Sequence, residues 1–215
     1  MKTVAFVPIK LNSQRVKNKN ILPIGNKPLC WHIFDTLLHV EGIDEIYCYC
    51  SDEKIKDYIP AEVQFLKRDT ALDGNLTKGF EIYQRFIGNV DADVYVLCHA
   101  TSPFIKAESI ESSLKKVQSE EYDSAFSAQR QQTFAWYHGK PINYDLNDVP
   151  RTQEIEPVFI ETSAFFIFKK EVFTEHHRRI GYMPYICETD AIESIDIDEP
   201  ADYEFAAKIA NGVMK

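Results

Sequence analysis

An unbroken apolar run at residues 4–9, VAFVPI, most constrains the fold of this chain. Such a run with β-branched residues is typical of a parallel strand that is buried on both faces. Similar short runs follow at 45–50, 63–66, 94–98 and 124–127, and segments with apolar residues at helical spacing separate them. The alternation predicts a three-layer α/β fold with a mostly parallel sheet.

This alternation stops after residue 127. Residues 129–160 are polar and contain three prolines, and Gly139-Lys140 indicates a hairpin. We therefore predict a single domain over residues 1–215 with an irregular arm at about 129–160. Beyond the arm we predict strands at 164–168, 185–187 and 193–197, a helix from residue 171 onward, and a last helix at 200–210.

Composition limits the possible partners. The net charge of −9 argues against nucleic acid, because proteins that bind the phosphate backbone usually display basic patches. The first apolar run is too short for a signal peptide or a membrane span. The five cysteines form no CxxC pair and no zinc-type spacing, so we expect buried, reduced thiols. Together these features predict a cytoplasmic protein with no nucleic-acid or membrane partner.

The loop after the first predicted strand is the first candidate site. Residues 10–20 hold four cations, Lys10, Arg15, Lys17 and Lys19, together with three asparagines. Ligands of parallel α/β sheets bind at the carboxyl ends of the strands, where these cations suit a triphosphate. The GxxxxGK[ST] pattern of a P-loop is absent. A solvated basic loop is the alternative interpretation.

Two carboxylates near the C-terminus form the second candidate site. Asp196 and Asp198 alternate with Ile195 and Ile197 in the predicted strand 193–197, so both carboxylates are expected on one face. Mg²⁺ binds through one or two carboxylates together with substrate phosphates. Asp198 also suits the N-terminus of the last helix, which is the alternative.

A third candidate is the segment His99-Ala100-Thr101-Ser102-Pro103, which follows the predicted strand 94–98. Its backbone amides and hydroxyls suit a base or a phosphate. Capping of the next helix by Thr101 or Ser102 is the alternative.

Several segments in sequence order resemble the cytidylyltransferases that activate acidic sugars, the acylneuraminate and 3-deoxy-manno-octulosonate families. The resemblance covers nearly the whole chain. It departs from the family pattern at Lys10, Gln14, His99 and Thr162-Ser163, which bears on the substrate more than on the reaction. The matching positions are Pro8, Ser13, Arg15, Lys19 and Asn20, the segment Leu22–Leu29, Ser51-Asp52-Glu53, Arg68, Thr101-Ser102-Pro103, Asp123-Ser124, Glu161 and Ala164, and Asp196 with Asp198.

The resemblance implies a Rossmann-like fold of the nucleotide-diphospho-sugar transferase type. It implies a magnesium-dependent enzyme that transfers a cytidylyl group from CTP to a 2-keto-3-deoxy sugar acid, releases pyrophosphate and serves surface polysaccharide biosynthesis. Lys10, Arg15 and Lys19 are then the catalytic cations, and Asp196 and Asp198 the ligands of Mg²⁺. The implied nucleotide-binding residues are Pro8, Lys10, Leu11, Asn12, Ser13, Arg15, Asn20, Arg68, His99, Ala100, Thr101 and Ser102. The implied sugar-binding residues are Gln129, Arg151, Glu161 and Thr162.

The resemblance also implies that the arm forms a homodimer. Phe134, Trp136, Tyr137 and Tyr144 suit such an interface. A small core within the arm is an equally good interpretation of these aromatic residues.

Three other functions remain open from the sequence. The acceptor can be a polyol phosphate or a phosphorylated amino acid instead of a sugar acid. A glycosyltransferase of related fold also uses an Asp-x-Asp motif, but usually in mid-chain. A nucleotide-binding subunit without turnover is the third alternative, suggested by Lys10, Gln14 and Thr162-Ser163.

Overall fold

The computed structural model describes residues 1–212. Three short 3-10 helices at Lys19–Ile21, Glu53–Tyr58 and Thr70–Asp73 join the larger elements. The helices are α1 (Leu29–Leu38), α2 (Gly79–Ile87), α3 (Ala107–Gln118), α4 (Lys170–Thr174) and α5 (Pro200–Ala210). The strands are β1 (Thr3–Ile9), β2 (Pro23–Ile24), β3 (Lys27–Pro28), β4 (Glu45–Cys50), β5 (Gln64–Lys67), β6 (Val94–Cys98), β7 (Ser124–Gln131), β8 (Trp136–Tyr137), β9 (Lys140–Pro141), β10 (Val158–Lys169) and β11 (Pro184–Thr189).

Seven strands form one central sheet in the order β11-β7-β10-β6-β1-β4-β5. All of them run parallel except β10, which is antiparallel to both of its neighbours. The carboxyl ends of β1, β4, β5, β6 and β7 therefore meet at one edge, together with the start of β10. The predicted α/β fold with a mostly parallel sheet is confirmed.

Hydrophobic layers cover both faces of the sheet. Val7 of β1 packs in the cluster that contains Phe34 of α1 and Leu114 of α3. Phe6 points to the opposite face, where its ring stacks on Phe86 of α2 at 4.1 Å between centroids. Because neighbouring residues of a strand face opposite sides, the continuous apolar run of β1 supplies both layers.

The predicted strand at 193–197 is wrong, because these residues form a turn and a loop. The Asp190 carboxylate accepts hydrogen bonds from the backbone N–H groups of Ile192 and Glu193, both at 2.9 Å. The buried Glu193 carboxylate in turn accepts from the backbone N–H of Lys106, just before α3, at 3.1 Å. These side-chain bonds replace a strand ladder, as Asp commonly does in turns. Asp196 and Asp198 therefore do not lie on one face of a strand.

The arm is shorter at both ends than the predicted 129–160. β7 continues to Gln131 and pairs there with Val158 of β10, so residues 132–157 are the part that leaves the sheet. The predicted hairpin is confirmed by the pairing of β8 with β9. His138 and Gly139 form its turn with φ values of 49° and 75°. Both values are positive, as in the two-residue turns that suit the twist of hairpin strands.

Two further sequence expectations concern cysteines and aromatic residues. All five cysteines are buried free thiols, as predicted. In the arm, the ring centroids of Phe134 and Tyr144 lie 4.6 Å apart and those of Trp136 and Tyr144 lie 6.3 Å apart, so the three rings form a small aromatic cluster.

Across residues 1–212, no helix is both long and apolar enough to cross a membrane.

Candidate active site

The loop after β1 is held together by its own polar side chains. The Ser13 hydroxyl donates to the Val16 carbonyl at 2.7 Å and accepts from the Lys19 backbone N–H at 2.8 Å. The Asn20 amide donates to the Lys10 carbonyl at 2.8 Å. Ser13 and Asn20 thus shape the loop, and the contacts of both with a nucleotide stay predictions. Asn20 Oδ1 is buried without a donor among residues 1–212.

Two cations of this loop meet the loop that precedes α5. The Lys19 ammonium, in a residue only 8% exposed, contacts the Ile197 carbonyl and lies 3.2 Å from Asp198 Oδ1. The Arg15 guanidinium spans Asp198 at 2.9 Å and Glu199 at 3.0 Å. The structure therefore brings together Arg15, Lys19 and Asp198, which the sequence placed at opposite ends of the chain.

Asp196 differs from Asp198 in its surroundings. Its Oδ1 atom is buried and has no hydrogen-bond donor in the described part of the chain. Burial raises the pKa of Asp196, a hydrogen bond from Thr101 lowers it in part, and the neighbouring Asp198 charge raises it again. The backbone N–H of Ile197 donates to the Thr101 carbonyl at 2.9 Å and so fixes this loop beside β6.

The carboxylate oxygens of Asp196 and Asp198 fit a hard divalent cation as ligands. A carboxylate oxygen without a protein donor next to a second carboxylate is the kind of partial site that Mg²⁺ completes with phosphate oxygens and water. Residues 1–212 contain no group of three or more His, Cys, Asp or Glu side chains arranged for a metal ion. Asp196 and Asp198 therefore suit a cation shared with a substrate.

Two adjoining clefts open at the carboxyl edge of the sheet, and both include Asn12. The first, of about 530 Å³, lies between Leu11 and the segments after β4 and β5; its other lining residues are Ser51, Asp52, Glu53, Lys67, Thr70 and Asp73. The second, of about 380 Å³, holds the basic side chains Lys10, Arg15 and Lys19. Lys10 Nζ lies 3.2 Å from Asn75 Oδ1 at its rim. One polar cleft beside a basic one suits a nucleoside joined to phosphates.

Arg68 lies behind the first cleft. Its side chain is buried, with an ion pair to Asp73 at 2.7 Å and a hydrogen bond to the Tyr49 carbonyl at 3.4 Å. The Ser51 hydroxyl donates to the other oxygen of Asp73 at 2.6 Å. Arg68 thus orients Asp73, which lines the cleft, and a direct contact of Arg68 with the nucleotide stays a prediction. The sequence analysis did not single out Asp73.

His99 links β6 to the start of β10. Its Nδ1 lies 2.6 Å from the Ser163 carbonyl, which can only accept, so Nδ1 carries the proton. Nε2 then accepts from the Tyr83 hydroxyl at 3.3 Å. Burial is the largest cause that lowers the pKa of His99, and the Arg179 charge lowers it further. The ring is therefore neutral at pH 7.

Ser163 explains how this carbonyl reaches His99. Its φ of 60° lies in the left-handed region, at the place where the register of β10 shifts. Glycine adopts this conformation without steric cost, and serine does so less often. Ser163 therefore holds a left-handed conformation in the Thr162-Ser163 pair, one of the places where the sequence departs from the family pattern that it resembles.

Among the residues predicted to bind the sugar, Glu161, Thr162 and Gln129 lie on β7 or β10. Arg151 lies in the arm. Glu161 lies near His99 and pairs with Arg179 at 2.9 Å. Thr162 donates to the Ser127 hydroxyl at 2.8 Å, within the sheet. Gln129 lies on β7, opposite Ile160. Arg151 lies in the arm, where its ion-pair partner is Glu154. Within one chain it is therefore not part of the cluster around His99, which contains Tyr83 and Ser163.

The other residues predicted to contact the nucleotide lie near the carboxyl ends of β1 and β6. Ala100 and Ser102 are buried, and Ser102 Oγ has no hydrogen-bond partner within residues 1–212. Pro8 is the next-to-last residue of β1, opposite Tyr49. Thr101 reaches the site through its bonds to Ile197 and Asp196.

Arg179 is a site residue that the sequence analysis missed. Arg179 lies on the loop after α4. Its guanidinium carbon lies 3.7 Å from the centroid of the Phe166 ring. The pair Arg178-Arg179 was the only signal in the sequence, and nothing in it distinguishes a surface cation from one folded over the sheet.

Comparison with known proteins agrees with this architecture. A family model described as Cytidylyltransferase matches residues 4–213. The chain belongs to the cytidylyltransferase family. The family match covers both the loop after β1 and the loop before α5, so the two halves of the candidate site lie within it.

Among curated relatives, N-acylneuraminate cytidylyltransferase of Streptococcus agalactiae serotype III (strain NEM316) is 22% identical over 214 residues, which cover 94% of this chain and 52% of the relative. The 3-deoxy-manno-octulosonate cytidylyltransferase of Escherichia coli is 24% identical over 114 residues, covering 53% of this chain and 45% of the relative. The chain thus spans about half the length of the N-acylneuraminate enzyme.

A solved structure shares the fold of this cytidylyltransferase family member. It is CMP:2-keto-3-deoxy-manno-octonic acid synthetase in complex with CTP, which superposes with a TM-score of 0.73 at 14% identity and covers 100% of both chains. The similarity extends over the whole sheet and both helical layers.

Proposed function

We propose that this protein transfers a cytidylyl group from CTP to a hydroxyl of an acidic sugar of the 2-keto-3-deoxy type. The observation that carries the proposal is the contact of Lys19 with Asp198 near Asp196, whose Oδ1 has no hydrogen-bond partner within residues 1–212. Lys19 also lines the basic one of two adjoining clefts that together suit a nucleotide. Family membership and the names of the relatives support CTP as the donor and a sugar acid as the acceptor.

In the proposed reaction the acceptor hydroxyl oxygen forms a bond to the α-phosphorus of CTP. The bond between that phosphorus and the oxygen bridging to the β-phosphate breaks, pyrophosphate leaves with the electron pair, and the hydroxyl proton passes to water. Such phosphoryl chemistry depends on positioning and charge neutralisation rather than on covalent help from the protein. Lys10, Arg15 and Lys19 supply the positive charge at the basic cleft.

Phosphate binding requires an exchange of partners at Asp198. Arg15 and Lys19 both hold Asp198 in this structure, and an incoming triphosphate offers them stronger, doubly charged acceptors. Asp198 is then released toward Asp196. These two carboxylates are the residues that would hold Mg²⁺, which when bound neutralises phosphate oxygens and polarises the phosphorus. Asp196 Oδ1, which has no hydrogen-bond partner within residues 1–212, is the oxygen that this role needs.

We further propose that a second copy of this chain covers the arm, residues 132–157. Trp136 and Tyr137 are 54% and 67% exposed, and adjoining exposed apolar side chains of this size are typical of an interaction surface. The arm also exposes Ile142, Leu146 and Val149. In such a homodimer Arg151 of one copy is available to the acceptor site of the other, which gives a role to a cation that lies outside the cluster around His99.

We propose that the reaction takes place in the cytoplasm and supplies the biosynthesis of surface polysaccharides. Activated sugar acids are consumed by enzymes that build surface polysaccharides, and CTP is a cytoplasmic substrate. Five reduced, buried thiols suit a reducing compartment.

The test is pyrophosphate release from CTP and Mg²⁺ with a panel of nonulosonic and octulosonic acids and, as a separate arm, polyol phosphates. We expect release with at least one sugar acid and none with polyol phosphates. Release only with a polyol phosphate would transfer the assignment to that acceptor class. Binding of CTP without release for any acceptor would contradict turnover and favour a nucleotide-binding subunit.

A further inference from the structure

Arg179 is not among the residues that line the two clefts at the carboxyl edge of the sheet. Its guanidinium carbon lies 3.7 Å from the centroid of the Phe166 ring. The same Phe166 ring meets the His99 ring edge-on at 6.1 Å. Arg179 and His99 are therefore neighbours across one aromatic side chain at the carboxyl edge of the sheet.

The guanidinium keeps most of its donors available. One terminal nitrogen pairs with Glu161 at 2.9 Å, and the Arg179 side chain is 34% exposed. Arginine has five N–H donors in a planar fork that matches a carboxylate or a phosphate. The Phe166 ring restricts the orientation of this fork, and such pre-organisation favours binding of a rigid anion.

The charge of Arg179 acts on His99, a predicted nucleotide-binding residue. The charges of Arg179, Glu161 and Asp198 all act on the pKa of His99, after the larger effect of its burial. Burial raises the pKa of Tyr83, whose hydroxyl lies 3.3 Å from His99 Nε2, and the Arg179 charge lowers it in part. Arg179 therefore belongs to one cluster of side chains with Phe166, His99 and Tyr83.

We infer that Arg179 is a specificity-determining residue that binds an anionic group of the acceptor, a carboxylate or a phosphate, in exchange for its contact with Glu161. This inference rests on the proposed function, because it names the residue that selects the acceptor for that reaction. Glu161 occupies the fork when the acceptor is absent.

The exchange is physically reasonable because the resting pair is weak. The side chains of Arg179 and Glu161 are 34% and 38% exposed, and ion pairs between such exposed groups contribute little to stability. A bidentate acid bound over Phe166, with His99 neutral beside it, gains two parallel hydrogen bonds where Glu161 has one. Acceptors without an anionic group lack this gain.

The matched control is the neighbouring Arg178, which has the same charge but a different position. Its guanidinium lies over the Tyr182 ring, 4.7 Å from the centroid. Arg179→Met and Arg178→Met thus remove the same charge from adjacent residues, and only the first acts at the cluster of His99, Tyr83 and Phe166.

The experiment is calorimetric titration of the full chain with N-acetylneuraminate, 3-deoxy-manno-octulosonate and, in a separate arm, inorganic phosphate. A parallel titration measures CTP binding. We expect Arg179→Met to weaken binding of at least one of these anions 10-fold or more and to leave CTP affinity within 2-fold. Arg178→Met is expected to change neither. Glu161→Gln is expected to tighten anion binding, because it removes the competing carboxylate.

Equal anion affinity in Arg179→Met and the wild-type chain would overturn the inference. Absence of wild-type binding for all three anions would overturn it too, since a formed anion site binds one of them. Tighter binding of phosphate than of the acids would identify a phosphorylated acceptor. Failure of CTP to bind is a separate result, which would contradict the proposed function without altering what the anion titrations say about Arg179.

Discussion

The ammonium of Lys19 lies 3.2 Å from Asp198 Oδ1, although 179 residues separate the two in the chain. Lys19 also contacts the Ile197 carbonyl, so it ties the loop after β1 to the loop before α5. A single buried cation thus holds together the basic cleft and the two carboxylates on which the proposed reaction depends.

Lys19→Met is expected to affect both folding and catalysis. Loss of the ammonium leaves the buried Ile197 carbonyl without its donor, which costs about 1–3 kcal/mol in the free energy of unfolding. The loss of a fixed charge at the phosphates is expected to lower kcat/KM about 100-fold or more. Urea unfolding and pyrophosphate release measure the two effects. Lys17→Met, an exposed cation in the same loop, is the control and should change stability by less than about 0.5 kcal/mol.

Asp196→Asn is expected to separate stability from activity. In the ligand-free chain the substitution removes the charge of a carboxylate whose Oδ1 is buried without a donor among residues 1–212, so the protein should become more stable. A gain of about 1 kcal/mol corresponds to a rise in Tm of roughly 2–4 °C at this chain length. Pyrophosphate release should be lost, and Mg²⁺ with CTP should no longer raise Tm as it does for the wild type. Exposed Asp57→Asn is the control. Wild-type activity in Asp196→Asn would contradict the metal role.

Arg68→Met is expected to destabilise the fold first. The substitution leaves Asp73 without its buried counterion and the Tyr49 carbonyl without a donor. Because Asp73 is partly exposed, we expect a loss of about 2–3 kcal/mol, at the lower end of values for broken buried pairs. Urea unfolding measures it, with the exposed Lys67→Met as control. A loss of CTP affinity without a loss of stability would instead favour direct contact of Arg68 with the nucleotide.

His99 is expected to make the protein sensitive to acid. Its folded pKa is lowered from the ordinary value of 6.5 by burial, so the unfolded chain binds the proton more readily. Above that ordinary value both states are neutral and the residue contributes no pH dependence. As pH falls below it, stability decreases with a slope of up to about 1.4 kcal/mol per pH unit for one proton. Unfolding free energies at pH 7.0, 6.0 and 5.0 measure this slope.

The comparison variants for this titration are His99→Gln and His39→Gln. His99→Gln should flatten the decrease between pH 6.5 and pH 5, whereas His39→Gln, which changes an exposed ring, should leave it unchanged. An unchanged slope in His99→Gln would show that other groups cause the loss of stability.

The double variant Trp136→Ser and Tyr137→Ser is expected to be monomeric. Both side chains are exposed on the arm, and their removal takes away much of the apolar area that a second copy would bury. Light scattering coupled to size-exclusion chromatography should give a dimer for the wild type. Leu76→Ser, which removes another exposed apolar residue outside the arm, should remain dimeric. A monomeric wild type would contradict the proposed homodimer.

The order of strands and helices could be predicted because it depends on local patterns. Continuous apolar runs such as residues 4–9 suit a sheet covered on both faces, and β1 has that environment. The hairpin at Gly139 follows from backbone preferences within a few residues. The loop after β1 could be chosen as a candidate site for the same reason, since the strand pattern itself implies the carboxyl edge of a parallel sheet.

The long-range contacts were decided only by the tertiary structure. The alternating residues 193–197 suggested a strand, but Asp190 and the start of α3 compete for their backbone and side chains. Arg68 and Arg179 look alike in the sequence, yet one is buried against Asp73 and the other lies over Phe166. Periodicity reports which face of an element is buried. Which distant side chain neutralises a charge depends on how the elements pack, and that partner sets whether the charge stabilises the fold or stays free for a substrate.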